Sequence, residues 1–155
     1  MQQNFLYSVE REYETNMETM WQAWTSAEAL ESWYFPAGLN SVPGSYVSQA
    51  SVGGTWAAAV DVAAYGFVAY FWGTYSVVEA HKKLVHSMSY SQDKAEFDAK
   101  PADVPAHRVE IDFEIRASKV WVRYSQFGEL PADQIEATQA GMSSYFDSLG
   151  DYLAR

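Results

Sequence analysis

Residues 109–153 read VEIDFEIRASKVWVRYSQFGELPADQIEATQAGMSSYFDSLGDYL, and the changes of period along them decide the fold. From Val109 the alternation is strict, with Val109, Ile111, Phe113 and Ile115 on one parity and Glu110, Asp112, Glu114 and Arg116 on the other. That is a strand with one buried and one wet face. Ala117-Ser118 is a tight turn into a second strand, Lys119 to Phe127. Leu130-Pro131-Ala132-Asp133 then starts a helix, with proline suited to its first turn. Ile135, Thr138, Met142, Tyr145, Phe146, Leu149, Tyr152 and Leu153 form an apolar stripe that runs to the C-terminus. At about 1.5 Å per residue such a helix reaches roughly 30 Å, enough to cross a whole sheet.

Working back from that stretch, more strands come into view. Phe67 to Glu79 and Lys83 to Ser91 are rich in aromatic and β-branched residues, and the polar link Ala80-His81-Lys82 predicts a hairpin between them. Tyr46 to Gln49 and Thr55 to Ala63 read as strands joined by the turn at Gly53-Gly54, after a loop punctuated by Pro36, Gly38, Pro43 and Gly44. Residues 92–106 carry six charged side chains and two prolines without periodicity, which predicts a mobile loop. At the other end Phe5, Tyr7, Val9, Arg11 and Tyr13 alternate with Leu6, Ser8, Glu10 and Glu12 as a strand. Thr15-Asn16-Met17-Glu18 follows as a capping box with Thr15 as the cap, and Met17, Met20, Trp21 and Trp24 continue at helical spacing. Thr25-Ser26 offers a second cap before Ala29, Leu30 and Trp33, so one broken helix or two short ones are expected.

Composition narrows the function. The 155 residues suit one core, with no repeat or linker to divide 1–155 into separate domains. No apolar run approaches the roughly 18 residues that span a membrane, and the first residues lack a basic segment followed by an apolar one. A soluble, unexported, cytoplasmic protein is the expectation. With Cys 0, disulfides, thiolate nucleophiles and cysteine metal sites are excluded. A net charge of -10 repels phosphate backbones and anionic headgroups, and His81-Lys82-Lys83 is too short a basic patch to override it, so no nucleic-acid partner and no membrane insertion are expected. The oligomeric state is left as monomer or homodimer. Aromatic residues make up 16%, including Trp 6 and Tyr 11, and such rings either fill a core or line a cavity.

The order strand, short helices, about six strands, long C-terminal helix is what a helix-grip fold requires. The chain also carries Arg11-Glu12-Tyr13, then Glu18, Trp21, Ala23-Trp24-Thr25, Glu28, Leu30 and Trp33, then Pro36-Ala37-Gly38. Gly53-Gly54-Thr55-Trp56, Gly73-Thr74-Tyr75 with Val78-Glu79, Lys83-Leu84-Val85 and the helix from Gly141 to Leu153 follow in order. This set resembles homologues of the activator of heat-shock protein 90 ATPase, within the START-like (SRPBCC) superfamily that also holds polyketide cyclases, lipid-transfer domains and the birch-pollen allergen. Thr15-Asn16, Ser26-Ala27 and Gln49-Ala50-Ser51 depart from the family's usual residues. The resemblance implies an α+β fold in which a curved antiparallel sheet of six to seven strands wraps a long C-terminal helix, with two short helices after the first strand. It implies a cavity for an apolar or aromatic metabolite, a lipid or a polyketide-like molecule. A cyclase or hydrolase acting in that cavity and a chaperone ATPase co-activator are the alternatives, the last with the expectation that the partner-binding N-terminal domain of multidomain relatives is not present in these residues.

The candidate ligand pocket is Tyr7, Val9, Trp24, Trp33, Trp56, Tyr75, His86, Tyr90, Phe113, Met142, Tyr145, Phe146 and Leu149. Each ring can instead be core packing, and Trp56 is expected to share an inward parity with Ala58 and Val60, small residues opposite large rings. His86 lies on the Leu84, Met88 and Tyr90 parity, where it is a satisfied core histidine or a base. Arg11 either closes the pocket over a carboxylate or makes a salt bridge at the strand end. No HExxH, phosphate loop or serine elbow occurs, so no metal, no cofactor and no nucleophilic hydrolysis are expected, and catalytic residues stay unassigned.

Overall fold

The computed structural model describes residues 3–155. Period-two alternation at the start becomes strand β1, Asn4–Tyr13. Helix α1, Met17–Thr25, begins on Asn16, whose side chain accepts from the Thr19 amide at 2.8 Å. The cap is therefore Asn16, one residue after the Thr15 expected, because asparagine's short carbonyl arm reaches the third amide of the helix directly. Helix α2, Ala27–Trp33, is capped by Ser26. The Trp33 indole donates to the Ala23 carbonyl at 2.7 Å and binds the two short helices together.

The loop after α2 contains a two-residue strand the sequence did not announce, β2, Asn40–Ser41, and Tyr46 to Gln49 shrinks to β3, Val47–Ser48. Both are too short to carry a period. The long strands follow: β4 Thr55–Val62, β5 Phe67–Glu79 and β6 Lys83–Ser91. Helix α3, Lys94–Ala99, occupies the stretch expected to be a mobile loop. Strands β7, His107–Arg116, and β8, Lys119–Gly128, precede helix α4, Ala132–Leu153. The antiparallel path runs β1-β8-β7-β6-β5-β4-β2, with β3 pairing β4 beside β2. The result is the α+β helix-grip arrangement, a curled sheet of seven strands along that path with α4 across its concave side.

Alternation sorts the sheet's two faces. Trp56, Ala58 and Val60 of β4, Val109, Ile111 and Phe113 of β7, and Val120, Val122 and Tyr124 of β8 share one concave cluster with Met142, Tyr145, Phe146 and Leu149 of α4. Ala57 and Ala59 point the other way, opposite Trp72 and Tyr70. The room these alanines leave on the convex face is filled by Phe97 of α3, stacked 4.8 Å from Tyr70, while Trp72 donates to the Pro101 carbonyl at 3.2 Å. That burial is what orders the charged segment. Six residues of α3 could not hold a helix alone, but one apolar ring in a prepared slot supplies the missing driving force.

Several bonds fasten α4 to β1. Arg11 Nη1 meets Asp147 Oδ1 at 2.6 Å and Nη2 donates to the Ser143 carbonyl at 3.1 Å. The Tyr13 hydroxyl donates to the Phe146 carbonyl at 2.7 Å, and the Gln139 amide to the Ser8 carbonyl at 3.1 Å. Arg11 thus takes the salt-bridge alternative.

Candidate functional site

Beneath the first half of α4 the concave face is not filled. A cavity of about 920 Å³ opens there. Its walls are Gln134, Thr138, Gly141, Met142 and Tyr145 of α4, Asn4 and Tyr7 of β1, and Tyr124, Gln126 and Gly128 of β8. His107 of β7, Met88 and Tyr90 of β6, Phe71 of β5, Tyr34 after α2, and the connectors around Pro105 and Glu129 complete it. On α4, positions 134, 138, 141 and 145 recur at helical spacing, so this face is offset from the core stripe that carries Phe146 and Leu149.

Four of the thirteen candidate pocket residues line this cavity: Tyr7, Tyr90, Met142 and Tyr145. The structure places the other nine behind it. Val9, Trp24, Trp33, Phe113, Phe146 and Leu149 interlock at the opposite end of α4, where Trp24 meets Trp33 at 4.7 Å, Phe146 at 6.0 Å and Phe113 at 6.3 Å between ring centres. Tyr75 shares a hydrogen bond of 2.8 Å with Ser48. Trp56 stacks on His86 at 4.2 Å, and Tyr75 stands edge-on to the same imidazole at 5.7 Å. His86 is therefore a core histidine. Its Nδ1 is bonded to the Ser87 carbonyl at 2.7 Å, and burial lowers its pKa to about 4, against a smaller opposing effect of that bond.

The cavity's polar groups form an ordered chain that the sequence did not reveal. The Tyr7 hydroxyl donates to Gln126 Oε1 at 2.5 Å, which leaves Gln126 Nε2 to donate to His107 Nδ1 at 2.7 Å. With the amide in this orientation the His107 Nδ1 is the acceptor, and its Nε2 is left for other partners. Gly128 makes this possible: a Cβ there would meet His107 Cδ2 at 2.4 Å. Residues Gln126 and His107 sit at strand ends, 19 apart in sequence, and only the β7–β8 pairing brings them together.

Phenols dominate the inner wall. Tyr34 lies 4.9 Å from Tyr145, and Tyr7 stacks on Tyr124 at 6.4 Å. Burial raises the pKa of Tyr7, Tyr34, Tyr124 and Tyr145 well above the ordinary phenol value, and for the first three Tyr145 raises it further. All four stay protonated at any physiological pH. Among the described residues no group of three or more His, Asp or Glu could hold a metal ion, and no helix is long and apolar enough to cross a membrane.

The model of the activator of Hsp90 ATPase homolog 1-like proteins matches residues 14–154. Among solved structures, an AHSA1 protein from Silicibacter pomeroyi superposes with a TM-score of 0.78 at 15% identity, covering 96% of each chain. A protein from Staphylococcus epidermidis gives 0.77 at 21% identity, over 99% of this chain and 92% of that one. DynU16, a protein in the dynemicin biosynthetic locus, gives 0.69 at 16% identity, with 95% of this chain aligned to 46% of its own. No curated protein matches the chain in sequence.

Proposed function

The chain belongs to the family of activator of Hsp90 ATPase homolog 1-like proteins, and from that premise we propose that residues 1–155 are a single domain that binds an apolar or aromatic small molecule inside its sheet. The carrying observation is the cavity of about 920 Å³ under the first half of α4, walled by tyrosine and phenylalanine rings and two methionines together with polar side chains such as Gln126 and Thr138. That size and lining are those of a small-molecule site. Tyr7, Tyr34, Phe71, Met88, Tyr90, Met142 and Tyr145 are the proposed contact residues. DynU16 supports the reading only in so far as the same fold occurs in a biosynthetic locus.

A catalytic reading finds less support in the geometry. Of Tyr7, Tyr75, His86 and Tyr90, the groups that could polarise a carbonyl or move a proton, Tyr75 and His86 are packed away from the cavity. Native mass spectrometry of the purified protein, with thermal shifts against lipids and polycyclic aromatics, tests the proposal. A co-purifying mass or a saturable shift is expected, lost in Gly141→Trp, which fills the room. A chain that carries no ligand and responds to none of the panel overturns it.

A further inference from the structure

Which kind of molecule the cavity accepts can be argued from where its protons and charges lie. Neighbouring phenols have committed their hydrogens: Tyr7 to Gln126, Tyr46 to the Tyr34 carbonyl at 2.7 Å, and Tyr124 towards Met88 Sδ at 3.9 Å. Tyr145 is 9% exposed, lines the cavity, and makes no hydrogen bond through its hydroxyl among the described residues. Its ring centre lies 4.9 Å from that of Tyr34 in the same wall. A donor that faces the cavity and has no protein partner is matched only by what enters, so a ligand that brings an acceptor is favoured over one that does not.

Charge points the same way. Among the described residues no lysine or arginine lines the cavity, Glu129 at its border is acidic, and the whole chain carries -10. The His107 imidazole in the wall has its Nδ1 engaged by the Gln126 amide at 2.7 Å. An anion entering here would lose its water and gain no cation. Room is available beside that hydroxyl. At Gly141, one turn before Tyr145 on the same helix, an added Cβ would meet nothing within 4 Å. A glycine inside a helix is otherwise unfavourable, and here its missing side chain extends the cavity beside the free hydroxyl.

Resting on the ligand-binding reading above, we infer that the cavity selects an uncharged molecule bearing a carbonyl-type acceptor, with that oxygen on the Tyr145 hydroxyl and the apolar body laid along Gly141. The acceptor satisfies a phenol that no protein group meets. The absence of a cation rejects the corresponding acids, so fatty and aromatic carboxylates are poor occupants while ketones, esters and quinone-like rings are good ones.

Three probes with one body make the test: 2-acetylanthracene, 2-ethylanthracene and anthracene-2-carboxylate, titrated by fluorescence into the wild-type chain and Tyr145→Phe at pH 7.5. The ketone is expected to bind at least 10-fold more tightly than the carboxylate and about 5-fold more tightly than the ethyl analogue. In Tyr145→Phe the ketone falls to the level of the ethyl compound, whose own affinity is unchanged and so reports an intact fold. Equal or tighter binding of the carboxylate, or a ketone-to-ethyl ratio untouched by Tyr145→Phe, overturns the selectivity while leaving the pocket standing. Failure of all three probes to bind the wild-type chain brings down the pocket reading itself, and the selectivity with it.

Discussion

The two halves of α4 meet the same sheet and do opposite things. From Ala132 to Gly141 no residue is buried, and beneath that half lies the cavity. From Met142 onward five residues are buried, among them Phe146 and Leu149 at 0% exposure against the tryptophans of α1 and α2. What differs is what faces the helix. The C-terminal half meets two extra helices that bring Trp24 and Trp33, whereas the N-terminal half faces sheet alone, and one curved layer cannot fill its own concavity. Stability and occupancy thus fall mainly on different stretches of one helix, which meet at Met142 and Tyr145, buried residues that also line the cavity.

The most damaging way to break the division is Phe146→Ala. It opens a void in the solid half and should cost about 3–5 kcal/mol of unfolding free energy in urea melts, with the cavity's own residues untouched. A loss below about 1 kcal/mol would mean that half is not close-packed.

Next in size is the protonation of His86. Its pKa falls from 6.5 in the unfolded chain to about 4 in the fold, so the unfolded state binds more protons between those values. This contribution is complete above pH 6.5 and is lost as pH drops towards 4, for a total of about 3 kcal/mol. His86→Phe removes the titration. The wild-type advantage over this variant, followed by denaturant melts from pH 7.5 to 4, should shrink by that amount, and a constant difference would count against a buried neutral ring.

Much of this division was written in the chain, and part of it was not. The strict alternation of residues 109–116 and the stripe on α4 reflect one-sided burial, which leaves its period in the sequence. So the strand set, the two short helices and the grip of α4 could be read directly. Helix α3 could not, since its order comes from a single ring, Phe97, seated against Ala57 and Ala59 some forty residues earlier. The cavity was half legible for a related reason. Tyr7, Tyr90, Met142 and Tyr145 have the inward parity of the core rings, and parity tells which way a side chain points but not whether another meets it. Gln126 and His107 gave no local signal at all; a polar residue on the inward parity of β8, between Tyr124 and Gly128, was the one available clue.

Smaller effects sharpen the boundary. Tyr13→Phe deletes the bond to the Phe146 carbonyl and should cost about 1 kcal/mol in the same melts, because it loosens the solid half's tie to β1 without emptying it. Gly141→Ala acts in the hollow half and should do the reverse, a gain of about 0.5–1 kcal/mol, since the added methyl finds open space and the helix loses a glycine. Destabilisation by alanine there would move the cavity's boundary.

The two-residue strands beside β4 have a consequence for how this chain behaves in a crowd. Asn40 and Ser41 pair with Asp61 and Val60, Val47 and Ser48 with Ala57 and Trp56, and the Val42 amide donates to the Ala59 carbonyl between them at 3.0 Å. The outer margin of the sheet is thus spent on short, turn-bounded pieces that no second molecule can prolong. Aggregation by edge-to-edge strand addition is blocked at that rim by backbone already in use.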